Sequence, residues 1–142
     1  MPGPDFLDTN VLVYAYDVTD PAKQSVAQDL VRKAVAGGLV ISTQVLAEFA
    51  ATLLHKLTPA PSSGDVIALL DTLAPIRLVP SDHDTIRRAV EARATYGLHF
   101  YDGMIVAAAE RAGCERIWSE DFNPGQKYFG VLVANPFQGR SD

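Results

Sequence analysis

Short, solidly apolar runs alternate along this chain with longer segments in which apolar residues recur every three or four positions. Five of the runs are partly β-branched and lack polar alternation: residues 5–8, 39–42, 76–79, 116–119 and 131–134. Such runs are typical of strands that are covered on both faces. Their alternation with helical segments predicts an α/β fold, a three-layer α/β/α domain with a central parallel sheet, and we interpret residues 1–142 as that single domain.

The helical segments are placed by their spacing and by their end signals. Pro21 stands near the start of a helix that Gly37-Gly38 ends, and a short helix over residues 11–16 follows the first strand. Apolar stripes predict further helices over residues 45–57, 66–73, 86–94 and 105–112. The last two strands are joined only by a short connection through Asn123-Pro124-Gly125, without a helix between them.

Four acidic residues stand where a strand has just ended or where a helix begins. Asp8 and Asp121 follow the first and fourth apolar runs, Asp102 opens the helix that starts at Gly103, and Glu48 lies early in the helix over residues 45–57. The carboxyl ends of parallel strands share one edge of a sheet, so these side chains are expected to meet in one cleft. Oxygen ligands alone favour Mg²⁺ or Mn²⁺ over zinc.

Each acid also has an ordinary structural explanation. Asp102 can cap a helix or face its dipole, Asp8 can cap the short helix or form an Asx-turn, and Asp121 can be a turn residue. Glu48 lies about 140° from the centre of its helix's apolar stripe at 3.6 residues per turn, so it can simply face solvent. These ordinary explanations are less convincing when the four acids are considered together, because carboxylates that lie close to one another repel unless a cation binds between them.

Composition narrows the class of protein without naming a partner. With 142 residues, 48% hydrophobic and 20% charged, the chain is globular and large enough for one core. The single cysteine, Cys114, excludes an internal disulfide and is expected to be buried. No apolar stretch reaches membrane-spanning length and no basic leader precedes the first strand, so we expect a cytoplasmic protein without a membrane partner. The net charge of −5 by itself neither favours nor excludes nucleic acid.

At four places the chain resembles the PIN domain family, in that family's order. The segments are residues 6–14 (FLDTNVLVY), 42–49 (STQVLAEF), 100–109 (FYDGMIVAAA) and 118–122 (WSEDF), and the ending 130–137 (GVLVANPF) is similar to VapC-type members. One departure is Gly103, where the family often has alanine; it is expected to loosen the start of its helix.

The resemblance implies a Mg²⁺- or Mn²⁺-dependent endoribonuclease, a hydrolase that is typically the toxin of a toxin–antitoxin pair. It implies RNA as the substrate, a cognate antitoxin as protein partner and a homodimer. The catalytic and metal-binding residues would be Asp8, Glu48, Asp102 and Asp121. The polar residues that would orient them are Thr9, Asn10, Ser119 and, with a weaker match, Asn123.

Three other functions are weighed against this one. An aspartyl phosphatase needs a second Asp two residues after the first, and position 10 is Asn. A phospho-receiver domain needs paired acids after an early strand and a late lysine at a strand end, and neither is evident. The third is a PIN-like module that binds RNA or a protein partner without cutting. Outside the four acids, Asp17 can lie near the cleft, and His99 can touch phosphate but is more often a loop or packing residue.

Overall fold

A computed structural model describes residues 3–138 of the chain. The six strands are β1 (Asp5–Leu7), β2 (Leu39–Ser42), β3 (Arg77–Val79), β4 (Arg116–Trp118), β5 (Lys127–Tyr128) and β6 (Val131–Ala134). The six helices are α1 (Thr9–Tyr14), α2 (Pro21–Val35), α3 (Thr43–His55), α4 (Ser63–Leu73), α5 (His83–Tyr96) and α6 (Phe100–Arg111). All five predicted strands are present, as are all the predicted helices.

The strands form one sheet in the order β3-β2-β1-β4-β6-β5. The four pairings from β3 to β6 are parallel, as predicted, and β5 pairs with β6 antiparallel. The sequence pattern missed β5, because two residues are too few to show a periodicity. As a result β6 lies inside the sheet, between β4 and β5.

Burial in β2 explains the layered architecture. All four of its residues, Leu39–Ser42, are buried. Because successive side chains of a strand point to opposite faces, both faces of the sheet at β2 must be covered. The core is built from these strands and the apolar stripes of the helices, as the predicted three-layer arrangement requires.

Strand order reverses direction at the centre of the sheet. After β1 the chain builds outward through β2 and β3, and it then returns to add β4 on the other side of β1. The carboxyl ends of β1 and β4 therefore flank a topological switch point, where open α/β sheets leave a crevice for ligands. In register, Leu7 pairs with Trp118, and the Asp8 amide donates a hydrogen bond to the Trp118 carbonyl at 3.0 Å.

Helix α6 begins earlier than the sequence pattern predicts. It starts at Phe100 with His99 as the N-cap, whose Nδ1 accepts a hydrogen bond from the Tyr101 amide at 3.3 Å. Asp102 is therefore inside the first turn, where a carboxylate still faces the positive end of the helix dipole. The prediction that Asp102 opens a helix starting at Gly103 is wrong, because the helix begins three residues earlier.

Gly103 lies where α6 crosses α5 at short range. A Cβ atom added to Gly103 would be 2.8 Å from the Ala89 carbonyl oxygen and 3.2 Å from the Ala89 Cα. The missing side chain thus permits close backbone contact with α5, and Gly103 is itself buried. The expectation that this glycine loosens the helix start is replaced by a packing role.

Two further expectations concern burial and membranes. Cys114 is a free, buried cysteine, and burial raises the pKa of its thiol to about 12, so it stays protonated. Within residues 3–138, none of the helices combines the length and the apolar character that a membrane crossing demands.

Candidate active site

Asp8 sits at the point where β1 turns into α1. It is the N-cap of α1, and its side chain is only 6% exposed. One carboxylate oxygen accepts a hydrogen bond from the Thr9 amide at 2.7 Å, and the other accepts from the Ser119 hydroxyl at 2.7 Å. Burial, with smaller contributions from the charges of Asp121 and Glu48, raises the pKa of Asp8 to about 6 although these two hydrogen bonds act to lower it.

Ser119 ties the ends of β1 and β4 together. Its fully buried hydroxyl donates to Asp8 and accepts hydrogen bonds from the Asp121 amide at 3.1 Å and from Asn10 Nδ2 at 3.4 Å. One hydroxyl thus contacts three residues of the predicted site and orients the Asp8 carboxylate. The orienting role of Ser119 stays a prediction, and these contacts place its hydroxyl where it can serve that role.

Asn10 holds the loop that carries Asp121. Its Nδ2 donates to the Asp121 carboxylate at 2.8 Å, while its Oδ1 accepts from the Glu120 amide at 3.2 Å. A side chain on α1 therefore fixes both the backbone and the acidic side chain of the segment after β4.

Glu48 faces the site and not open solvent. Its Oε1 accepts a hydrogen bond from the Thr9 hydroxyl at 2.7 Å, and its side chain is half-buried. Gln44, one turn earlier on α3, donates from its amide nitrogen to Glu48 at 3.3 Å and to the Tyr101 carbonyl at 3.1 Å. Gln44 thereby links α3 to the first turn of α6, next to Asp102.

Asp102 completes the group from the side of α6. It is half-buried, and burial raises the pKa of its carboxyl group; the charges of Asp121 and Glu48 raise it further, while His99 acts in the opposite direction. The charges of Asp121 and Glu48 therefore act on the carboxyl groups of both Asp8 and Asp102. His99 itself is exposed and stacks beside the exposed Tyr101, with 5.8 Å between the ring centroids.

The sequence analysis missed a second network that supports the loop after β4. Lys23 on α2 forms an ion pair with Glu120, and the Tyr14 hydroxyl donates to the same carboxylate at 2.8 Å. Lys23 also lies 4.8 Å from the centre of the Tyr14 ring. Isolated Lys, Tyr and Glu residues carry no sequence signal of this kind. Asn123 lies apart from both networks, and its amide is 3.5 Å from Gln126 Oε1.

The acidic site takes part in no ion pair among the residues that the structure describes, since the ion pairs there leave out Asp8, Glu48, Asp102 and Asp121. The hydrogen-bond donors to Asp8, Glu48 and Asp121 are neutral hydroxyl and amide groups. Carboxylates without an ion-pair partner, two of them with a raised pKa, suit a hard divalent cation with oxygen ligands. The donor chemistry therefore fits Mg²⁺ or Mn²⁺. Over residues 3–138, however, no three acidic, His or Cys side chains are arranged closely enough to hold an ion together as they stand.

A groove opens beside this site along α1 and α3. Its volume is about 620 Å³, within the range of small-ligand sites. Its walls include the site residues Thr9, Asn10, Glu48 and Asp121, the apolar residues Val13, Ala51 and Leu57, and Tyr14, Asp17, Thr52, His55 and Lys56. The expectation that Asp17 lies near the cleft agrees with its place in this wall.

Comparison with known families decides what kind of domain this is. The family model described as the PIN domain matches residues 6–129, which include all four acids. The chain belongs to the PIN domain family. A comparison with curated proteins gives no match. The assignment of this chain to the PIN domain family therefore rests on the family model.

Solved structures share the fold of this PIN domain at low sequence identity. DNA-bound VapBC from Salmonella typhimurium has a TM-score of 0.67 at 15% identity, covering 96% of this chain and 99% of that one. FitAcB from Neisseria gonorrhoeae has 0.66 at 19%, covering 94% and 99%. Mycobacterium tuberculosis VapC20, described as a sarcin-ricin loop cleaving toxin, has 0.66 at 18%, covering 90% and 98%. The likeness to these structures establishes the PIN fold.

Proposed function

We propose that this PIN domain is a Mg²⁺- or Mn²⁺-dependent endoribonuclease that acts as the toxin of a type II toxin–antitoxin pair. The observation that carries the proposal is the group of four carboxylates around the switch point of the sheet: neutral donors hold Asp8, Glu48 and Asp121, and none of the four forms an ion pair among the described residues. A cytoplasmic location and an RNA substrate belong to the same proposal.

Asp8, Asp102 and Asp121 would hold the cation, and Glu48 would complete the site or accept a proton from the attacking water. When bound, the cation would stabilise charge on the phosphodiester and make a water nucleophile available at neutral pH. Ser119 keeps the Asp8 carboxylate in one orientation through its 2.7 Å hydrogen bond, and Asn10 does the same for Asp121 at 2.8 Å. Thr9 holds Glu48 through its hydroxyl.

The spacing of the acids gives the cation a structural role in this proposal. No three of the four acids lie close enough together to coordinate one ion in this conformation. The pKa values of Asp8 and Asp102 are raised by burial and by the charges of Asp121 and Glu48. A cation that removes the repulsion would let Asp102 on α6 and Asp121 on its loop move toward Asp8. The fixed member of the set is Asp8, whose two oxygens already have hydrogen-bond partners.

The nuclease function is tested by RNA cleavage with and without the divalent ion. Wild-type protein with Mn²⁺ is expected to cut single-stranded RNA, and EDTA is expected to stop the reaction. Asp102→Asn should lower the rate by at least about a hundredfold, because it removes one charged oxygen donor. Asp71→Asn, at an exposed position on α4, is the matched control and should keep the wild-type rate. Equal rates for Asp102→Asn and wild type would remove this mechanism.

A cognate antitoxin is the proposed protein partner, and its basic side chain would enter the acidic site. A bidentate arginine suits clustered carboxylates that have no cationic partner of their own. Solved relatives of this fold include a toxin–antitoxin complex from Klebsiella pneumoniae, which supports this part of the proposal. An apolar antitoxin segment would pack near α3 and α4, where Leu54 and Ile67 are exposed, and we propose a homodimer on the same grounds.

A non-catalytic module that binds RNA or a partner is the second candidate function. The observation in its favour is that no three acids within residues 3–138 form a ready-made cation site. The retained set of four acids argues against it. Metal-dependent cleavage by the wild type, absent in Asp102→Asn, would exclude the binding module; binding without cleavage by either protein would support it.

A further inference from the structure

The groove beside the acidic site also carries two basic side chains that the proposed chemistry does not use. His55 is the last residue of α3 and Lys56 is its C-cap; both are exposed, and both line the groove. Lys56 forms no ion pair with any residue that the structure describes, whereas Lys23, on the far side of Tyr14, is paired with Glu120. The groove therefore contains positive charge that can meet an anion.

Helix geometry relates these residues to the acidic site. Glu48, Ala51, Thr52 and His55 have the spacing i, i+3, i+4 and i+7, and all four line the groove, so they share one face of α3. Seven residues at 1.5 Å per residue separate Glu48 from His55 by about 10 Å along the helix axis. That span is roughly three nucleotides at the 3.4 Å rise of a stacked strand, and fewer in an extended one.

Apolar side chains also line the groove. Val13 from α1, Ala51 from α3 and Leu57 after α3 are part of its wall, and the groove has a volume of about 620 Å³. An unstacked base can pack against such side chains, and single-stranded RNA presents bases in this way. The groove thus combines carboxylates for a cation, apolar side chains for a base and basic groups for a phosphate.

We propose that Lys56, with His55, binds a backbone phosphate of a single-stranded RNA one to three nucleotides from the bond to be cut. A base of the same strand lies against Val13 and Leu57. This inference rests on the proposed nuclease function of the acidic site and adds the residues that position the substrate. A protein partner in the same place would need an acidic side chain at the basic end, and RNA is favoured because one strand can satisfy all three parts of the groove.

Two features of the groove sharpen the inference. Basic residues at a helix C-terminus also stabilise the helix dipole, and that role alone predicts a change in stability without a change in RNA binding. Asp17 lines the groove as well, and its carboxylate accepts hydrogen bonds from the Thr19 amide at 3.0 Å and hydroxyl at 2.6 Å. Its negative charge repels a phosphate, so neutralising Asp17 and neutralising Lys56 should have opposite effects on RNA affinity.

The test measures the affinity for a fluorescent single-stranded oligoribonucleotide in Ca²⁺, over a series of salt concentrations. Lys56→Gln is expected to raise Kd about threefold to tenfold at low salt and to lower the slope of log Kd against log salt by about 0.7, the value for one phosphate contact on a single strand. Asp17→Asn is expected to lower Kd. Lys33→Gln removes the same charge from an exposed position on α2 outside the groove lining, and it should match the wild type. Unfolding midpoints of all variants are measured in parallel.

A second arm locates the contact on the RNA. Replacing single phosphates by neutral methylphosphonates should weaken wild-type binding at one position, and Lys56→Gln should lose that sensitivity while Lys33→Gln keeps it. If Lys56→Gln and Lys33→Gln have the same Kd and the same salt slope, the inference is overturned. This holds also if Lys56→Gln lowers only the unfolding midpoint, or weakens only the inhibition of the protein by a protein partner. RNA cleavage that persists in this case leaves the proposed function standing. The expected binding pattern without any cleavage by the wild type would support the phosphate site and remove the nuclease.

Discussion

At the scale of single residues, Asp8 carries the largest electrostatic cost in the described part of the site. It is 6% exposed, it caps α1, and the charges of Asp121 and Glu48 act on it. Two hydrogen bonds, from Thr9 and Ser119, offset part of the cost of burying its charge. A residue that is costly to bury and is still held in one orientation is typical of a functional site.

This cost makes a prediction about stability and pH in the metal-free protein. The pKa of Asp8 is about 6 in the folded protein, above the ordinary value of 3.8 for an aspartate, so the folded state binds the proton more tightly. The free energy of unfolding should therefore rise as the pH falls from above 6 toward 4, by about 3 kcal/mol at most. Asp8→Asn should flatten this rise and keep or raise the unfolding midpoint at pH 7. Denaturant unfolding in EDTA at several pH values measures both effects.

The control for this experiment is Asp29→Asn, which removes an exposed carboxylate from α2. Its profile should run parallel to that of the wild type. An Asp8→Asn protein with the wild-type dependence on pH would mean that Asp8 is not the group responsible. Asn has one acceptor oxygen where Asp8 uses two, so about 1 kcal/mol of hydrogen bonding is expected to be lost at all pH values.

At the scale of elements, the site depends on where α3 and α6 stand relative to the sheet. Gln44 joins the two helices by donating to Glu48 and to the Tyr101 carbonyl. Helix α6 is in turn set by its contact with α5, where Gly103 meets the Ala89 backbone. The position of Asp102 is therefore decided by a helix–helix contact as well as by its place in the sequence.

Gly103→Ala should disturb this contact. Its new Cβ would be 2.8 Å from the Ala89 carbonyl oxygen, so α6 must shift, and we expect a loss of about 1–3 kcal/mol in stability together with a loss of RNA cleavage. Gly64→Ala in α4 is the matched control, because the nearest atom to its Cβ would be Ser62 Oγ at 3.8 Å. It should be neutral or stabilising by up to about 1 kcal/mol. Thermal unfolding and cleavage rates check both; equal midpoints for the two variants would contradict the packing role.

At the scale of the whole molecule, the chain combines a net charge of −5 with an acidic site. Long-range attraction between this surface and RNA is therefore weak, so under the proposed function substrate binding would depend on the cation and on local basic groups such as Lys56. The same balance favours a basic protein partner, as proposed for the antitoxin.

Expression of the chain alone is expected to arrest bacterial growth, because an unrestrained ribonuclease destroys cellular RNA. Expression of Asp102→Asn at the same protein level should leave growth unchanged. Growth of the strain that expresses the wild-type chain should be restored by co-expression of a DNA-binding antitoxin encoded by a neighbouring reading frame. Colony counts after induction measure this, with protein levels checked in parallel. Sedimentation at micromolar concentration should show a homodimer. A harmless wild type that sediments as a monomer would leave the toxin proposal without support.

The sequence by itself determined five of the six strands, the helices between them and the presence of acids near strand ends and helix starts. This was possible because strands that are covered by helices are rich in apolar residues, and that composition is visible in five short runs. The expectation that all five are covered on both faces holds fully for β2, whereas β3 exposes Arg77 and Leu78. The mostly parallel sheet followed from the same alternation. The two residues of β5 gave no periodicity to detect, and the start of α6 at Phe100 depended on the His99 cap.

Only the tertiary structure decided which polar side chains act together. Asn10 reaches Ser119 and Asp121 across 109 and 111 positions of sequence, and Thr9 reaches Glu48 across 39. Such contacts follow from the order of strands in the sheet, which places β4 beside β1, and no local pattern encodes that order. The Gln44 bridge between α3 and α6 and the groove between α1 and α3 have the same origin, because each requires separate helices to pack before its side chains can meet.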